Sequence, residues 1–244
     1  MTLPVLRVGT RGSALALAQS GAIAAAVAEK AGAASELVRV KTEGDVNSGP
    51  LAAIGGTGIF VTAVRTALAQ GRVDLIVHSF KDLPTAVAPG LTLAAVPARE
   101  DPLDALCARD GLTLNTLPAG ARVGTGSPRR TAQLLLLRPD LTVLPIRGNV
   151  DTRLRMVTDG ALDAVVLAVA GLARLGRTAA ITETFGPSVM LPAPAQGALA
   201  VECRTDDVET AWYAEAVRAV DSPDSRAAAV AERAARRSPD RPRG

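Results

Sequence analysis

The stretch VDLIVHSFKDLP, residues 73–84, decides how the chain folds. Val73 to Val77 is a short apolar, β-branched run of the kind that forms a strand buried on both faces of a sheet. His78, Ser79, Phe80, Lys81 and Asp82 interrupt it at once, and Pro84 closes the turn. In α/β proteins, ligands bind at the C-terminal exits of such strands. Here that exit sets an acid beside one of only three lysines in the chain, which makes Asp82 the first candidate for a chemical role.

Strands and helices alternate on either side of this stretch. PVLRVG (4–9) reads as a strand, Ser13 as a helix cap, and residues 14–31 as an Ala-rich helix ended by Gly32. ELVRVK (36–41) reads as a second strand, a loop containing GGTG (55–58) leads into a helix, and LTLAAVP (91–97) is a further strand. This βαβαβ order argues a parallel sheet. After REDPLDAL (99–106) the order restarts, with strands at 121–125, 141–146 and 163–169. Ser127 and Pro128 open the first helix of this half as N-cap and first helical residue. PAPAQGALAVECR (192–204) reads as a return strand into the first half. The expected architecture is therefore α/β, with two lobes of periplasmic-binding-protein type and a hinged cleft. Lobe 1 takes residues 1–98 plus 195–219 and lobe 2 residues 99–194. Residues 220–244 read as a helix followed by a basic disordered tail.

Composition narrows the functional classes. Apolar residues make up 48% of the chain and aromatics only 2%, so the core must be built from Ala, Val and Leu. The pI near 9.3 reflects the end of the chain, because residues 233–244 hold five Arg against one Asp. The body is not globally basic, and one Trp, one Tyr and three Phe offer little for bases to stack on, which argues against a nucleic-acid partner. A single His and two distant cysteines, Cys107 and Cys203, argue against a metal site. The longest apolar run, 164–173, is too short to span a bilayer. A cytoplasmic location is expected.

Polar loops gather at the predicted strand exits. Thr10-Arg11-Gly12-Ser13 and GGTG each open a helix in the first half. In the second half, GTGSPRR (124–130) carries Arg129 and Arg130, and IRGNVDTRLR (146–155) carries Arg147 and Arg153. Helix N-termini and forked guanidiniums both favour anions, and guanidinium suits planar carboxylates especially well. Taken singly, each loop reads as an ordinary turn, and His78 as a core residue. Their convergence describes a polyanion site with one acid in its middle. A carboxylate surrounded by cations stays ionised and can stabilise positive charge developing on a substrate.

At these residues the chain resembles the porphobilinogen deaminase (hydroxymethylbilane synthase) family. The strings that carry the resemblance are RVGTRGSALALAQ, VKTEGD, GGTGIF, VDLIVHSFKDLPT, REDPLDAL, VGTGSPRR, PIRGNVDTRL, LDAVVLAVAGLARLG and LPAPAQGALAVEC, in family order. The resemblance implies a transferase that condenses four porphobilinogen units into hydroxymethylbilane, releasing ammonia at each step. It further implies a dipyrromethane cofactor held through a cysteine thioether, and a monomer. By the same match Asp82 would be the catalytic acid. Arg11, Ser13, Lys81, Arg129, Arg130, Arg147, Arg153 and Arg174 would bind carboxylates, with Ser79, Thr125 and Ser127 adding hydrogen bonds.

The chain also departs from the family. Ala195 stands where Gly is usual and Thr57 where Lys is common. DSPDSRAAAVAERA (221–234) resembles the first helix of the family's third α/β domain, and the rest of that domain is expected to be missing. Neither Cys107 nor Cys203 sits at the primer position. The expectation is a C-terminally truncated chain that is impaired or inactive because the attaching cysteine is absent. The alternative is a non-catalytic module that binds anions or pyrroles.

Overall fold

The computed structural model describes residues 4–40, 58–86 and 88–235. Most of the GGTG loop, Thr57, Lys41 and the basic run 236–244 therefore lie outside the described residues. The chain divides into two compact lobes, one built from Met1–Arg99 with Ala198–Gly244 and the other from Glu100–Gly197.

Lobe 1 begins with β1 (Val5–Thr10), α1 (Ala14–Ala31) and β2 (Ala34–Arg39). The Ser13 hydroxyl caps α1 by accepting from the Ala16 N–H, and Gly32 ends the helix at φ 59°, a conformation that glycine adopts without strain. Next come α2 (Gly58–Ala69), β3 (Leu75–Ser79), a 3-10 turn over Phe80–Asp82, and β4 (Leu91–Ala95). The strand order is β2-β1-β3-β10-β4, where β10 (Leu199–Arg204) arrives after the chain has traversed lobe 2. One face of this sheet buries Leu6, Val8, Leu75, Val77 and Val201 with Ile23 and Val27 of α1. The opposite face buries Val73 and Ile76 with Val64 and Leu68 of α2. Each fully buried side chain of this size stabilises by about 1.5–3 kcal/mol.

Lobe 2 has the same plan. Its elements are β5 (Asp104–Ala108), β6 (Arg122–Thr125), α3 (Pro128–Leu137), β7 (Thr142–Pro145), α4 (Val150–Thr158), β8 (Ala164–Ala168), α5 (Val169–Arg174) and β9 (Glu183–Phe185). The strand order is β7-β6-β8-β5-β9. Leu106, Val123, Leu134, Val166 and Phe185 fill one side, and Ile146, Val165, Leu167 and Leu172 the other.

The βαβαβ pattern argues parallel sheets, and both sheets are instead mixed. β10 runs antiparallel to β3 and β4, and β5 antiparallel to β8 and β9. In each lobe the reversed strand is the one that follows a passage between lobes, so it enters its sheet against the direction set by the crossover helices. Gly197 sits at the return passage with φ 87°, and a Cβ there would lie 2.2 Å from the Glu100 carbonyl oxygen, so only glycine fits.

After β10 come α6 (Asp207–Thr210), α7 (Ala214–Arg218) and α8 (Pro223–Ala235). α8 belongs with lobe 1. Arg226 donates to the Leu93 and Ala94 carbonyls, and the Arg99 guanidinium forks onto Glu232 at 2.6 and 2.9 Å. Arg233, at the end of the expected helix 221–234, is in α8 and only 9% exposed.

Candidate functional site

In lobe 1 the exit of β3 is fixed from several sides. The Phe80 N–H donates to the Ala198 carbonyl at 3.0 Å, which ties the 3-10 turn to the start of β10. The Leu83 N–H closes the turn on the Phe80 carbonyl. Ser79 and Gln19 exchange side-chain hydrogen bonds at 3.0 and 3.3 Å, so this hydroxyl joins β3 to α1. Asp82 ends the turn and is exposed, beside the half-buried Lys81. Arg11 and Ser13 stand at the exit of β1, half-buried, with Ser13 capping α1.

Behind this exit lies a buried carboxylate. Arg65 forks onto Glu202 at 2.6 and 2.9 Å, and His78 Nε2 lies 3.2 Å from Glu202 Oε2, off the line of a good hydrogen bond. Burial resists the charge on Glu202, but the neighbouring His78 and the Arg65 fork outweigh it and bring the carboxyl down to about 2.

In lobe 2 Ser127 caps α3 by accepting from the Arg130 N–H, and Thr125 Oγ1 accepts from the Ser127 N–H at 3.2 Å. A Cβ on Gly126 would come within 2.8 Å of the Ile146 carbonyl oxygen, so the β6 exit packs directly on the β7 exit. Asp104, with no exposed surface, dominates the interior of this end. It accepts from Arg129 at 2.6 Å, from Arg130 Nε and Nη2 at 3.1 and 2.6 Å, and from Gln196 at 2.7 Å. Burial opposes the charge on Asp104, and Arg130 with Arg129 more than compensates, holding the carboxyl below its ordinary range. Arg130 gives its remaining donor group to the Val166 carbonyl, and Arg129 also reaches the Leu191 carbonyl. Both guanidiniums thus hold lobe 2 together, a role that REDPLDAL did not reveal before Asp104 was placed.

The other lobe 2 arginines differ. Arg153, on α4, has its Nε buried with no hydrogen-bond partner among the described residues. Burial, with Arg130 close by, makes its cation harder to hold than usual. Buried polar groups are ordinarily hydrogen-bonded, so this donor departs from the common pattern. Arg147 is exposed at the same end of the lobe. Arg174, whose cation burial also disfavours, donates to the Gly197 carbonyl at 2.6 Å.

The two cysteines are buried. Burial raises the Cys107 thiol to about 12 and the Cys203 thiol to about 11. Ala195 carries φ 59° while fully buried, the left-handed backbone that favours glycine. Among the described residues no helix is long and apolar enough to cross a membrane.

The fold and these sites define a two-lobed α/β protein of the periplasmic-binding type, with guanidiniums and helix N-termini gathered at its strand exits. A periplasmic substrate-binding protein of an ABC transporter from Coxiella burnetii superposes with a TM-score of 0.53 at 16% identity, covering 93% of this chain and 96% of its own. A methionine-bound nutrient-binding protein from Burkholderia cenocepacia matches with a TM-score of 0.53 at 14% identity, covering 90% and 93%. The family model for porphobilinogen deaminase, dipyromethane cofactor binding domain, matches residues 6–211, and the chain belongs to that family. The porphobilinogen deaminases of Nocardia farcinica and Leifsonia xyli are 58% and 59% identical to it, each over 94% of the chain. The chain spans 65% of the length of the first and 70% of the second.

Proposed function

We propose that this chain carries the condensation site of a hydroxymethylbilane synthase, a transferase of tetrapyrrole and haem biosynthesis that joins four porphobilinogen units and releases ammonia from each. The observation that carries this reading is Asp82, an exposed carboxylate on a loop anchored to β10, in a chain of the porphobilinogen deaminase family. When the C–N bond of a protonated aminomethyl group breaks, ammonia leaves with the bonding pair and a cation spreads over the pyrrole. Asp82 stabilises that cation and orients the pyrrole N–H groups. Formation of the new C–C bond then releases the ring proton, which the same carboxylate accepts.

Arg11, Ser13 and Lys81 of lobe 1 bind substrate carboxylates in this reading, as do Arg147, Arg153 and Arg174 of lobe 2. Arg129 and Arg130 contribute positive charge while bound to Asp104. Ser79, Thr125 and Ser127 order the loops that carry these groups. The chemistry of the residues in each lobe suits a dipyrromethane, since in lobe 2 Arg153 offers a buried donor to a carboxylate and in lobe 1 Asp82 offers an acceptor to a pyrrole N–H. When bound, that group supplies the pyrrole carbon that receives the first unit. We assign the chain to the cytoplasm, a reading supported by its two unpaired cysteines, and take it to be a monomer on the family resemblance alone.

We further infer that neither Cys107 nor Cys203 anchors the primer. A buried thiol raised to about 11 or 12 supplies almost no thiolate near neutrality. A second reading, a non-catalytic module that binds anions or pyrroles, draws on the same observation. The test is to incubate the chain with porphobilinogen, then record intact mass and released ammonia for the native sequence and for Asp82→Asn. The expected result is an unmodified mass and slow ammonia release that Asp82→Asn removes. A dipyrrole adduct on either cysteine overturns the anchoring inference. Release unaffected by Asp82→Asn overturns the site, and binding without any release favours the second reading.

A further inference from the structure

The loop that carries Asp82 is held from inside the lobe by a residue about 150 positions further along the chain. Arg233 Nη1 donates to the carbonyls of Phe80 and Leu83 at 2.8 and 3.0 Å, and Nη2 donates to that of Pro84 at 2.8 Å. Its guanidinium carbon also lies 4.5 Å from the centroid of the Phe80 ring. One planar cation therefore binds three carbonyls that bracket Asp82 on both sides and stacks on the aromatic ring at the start of the same turn. Carbonyls that converge at the end of a short turn repel one another, and a fork of charged donors satisfies them together. The 9% exposure of Arg233 keeps water from competing for them.

We propose that Arg233 is a positioning residue for Asp82, and that α8 acts through it as a brace setting the geometry of the β3 exit. The inference rests on the reading of Asp82 as the reacting acid, although the bracing itself does not depend on it. The Phe80 N–H bond to Ala198 holds the front of the turn, and Arg233 holds its back. Between these two anchors the Asp82 side chain is left at the exposed side.

The test compares Arg233→Met and Arg233→Lys with the unaltered full chain by hydrogen exchange and by porphobilinogen titration. Losing charged hydrogen bonds of this kind corresponds to roughly tenfold to hundredfold faster local opening. Arg233→Met should accelerate exchange over residues 79–86 by that factor while leaving β1 unchanged. Arg233→Lys, which keeps the charge but loses the fork, should do so less. Unchanged exchange at 79–86 in both variants overturns the brace, as does a rise spread evenly over lobe 1 in both. Coupling to Asp82 is read from the double variant. Arg233→Met should weaken porphobilinogen binding in the native background and add nothing to Asp82→Asn. Additive losses overturn the positioning role. If Asp82→Asn alone leaves binding intact, the reading of Asp82 fails, and the exchange data still decide whether Arg233 braces the loop.

Discussion

The two lobes share one sheet plan and place their buried carboxylates differently. In each, a reversed strand enters fourth in the order, β10 in lobe 1 and β5 in lobe 2. Asp104 is the first residue of β5 and pairs with Ala168 at the last position of β8. The matching position in lobe 1 is Leu199, which pairs with Ser79, while Glu202 lies three residues deeper. An acid at the mouth of the sheet binds the arginines nearest the strand exits, and in lobe 2 Asp104 takes Arg129 and Arg130. In lobe 1 the acid lies deeper in the sheet, where Glu202 takes Arg65 with the imidazole of His78 alongside. A shift of three residues along equivalent strands thus separates a lobe that consolidates its cations from one that presents an acid.

The largest expected effect comes from removing the acid of lobe 2. Asp104→Ala leaves two guanidiniums facing an empty interior and should cost about 3–5 kcal/mol, read by urea unfolding. Asp82→Asn changes an exposed side chain and should move stability by no more than about 0.5 kcal/mol while removing ammonia release. Equal costs for the two substitutions would erase the contrast between the acids.

Glu202 gives the contrast a pH signature within lobe 1. Its folded carboxyl, at about 2, lies below the ordinary 4.5, so the unfolded chain takes up the proton first as pH falls. The stabilisation is therefore complete above pH 5 or so and disappears as pH drops towards 2, with a size of about 3 kcal/mol. Trp212, the only tryptophan of the chain, lies in lobe 1, so its fluorescence in denaturant titrations at several pH values measures this loss. Glu202→Gln should flatten the dependence. A slope that survives the substitution would assign the acid sensitivity to another carboxylate.

Arg153 tests whether lobe 2 keeps any cation for ligands once Asp104 has taken two. Its Nε is buried without a hydrogen-bond partner among the described residues, an arrangement that comes at a cost. Arg153→Met should therefore leave lobe 2 as stable or more stable, by up to about 2 kcal/mol in thermal unfolding. The same substitution should weaken porphobilinogen binding about tenfold, the value of one charged hydrogen bond. Destabilisation with unchanged binding would place Arg153 beside Arg130 as a structural cation.

Much of this organisation was legible in the residues because local chemistry set it. Ser13, Gly32, Ser127 and Pro128 mark helix ends through caps that involve only near neighbours, and the structure has them there. The direction of β5 and β10 was not legible, because it depends on passages between lobes rather than on strand composition. The arginines at the exits could be found by type and position, but their partners could not. Nothing near GTGSPRR distinguishes Arg130, bound to Asp104, from Arg153, whose Nε has no partner among the described residues, because the deciding carboxylate is 26 residues from Arg130. Arg233 falls at the end of the expected helix 221–234, and its spacing of four from the buried Ala229 puts it on the inner face of α8. The carbonyls it binds lie about 150 residues away, so its neighbours could not reveal them.

The smallest expected effect concerns Ala195, which stands in lobe 2 beside Gln196, a partner of Asp104. Its φ of 59° is a conformation that costs an L-residue with a Cβ about 1–2 kcal/mol. Ala195→Gly relieves that strain but gives back the burial of one methyl group, worth about 0.8 kcal/mol, and adds backbone freedom to the unfolded chain. The balance should favour Gly by no more than about 1 kcal/mol, seen as a rise in Tm of a few degrees at most. The gain should vanish in an Asp104→Ala background if the strained turn matters because it aims Gln196 at the carboxylate. An equal gain in both backgrounds would make the turn independent of the ion cluster and confine the consolidation of lobe 2 to Asp104 and its two arginines.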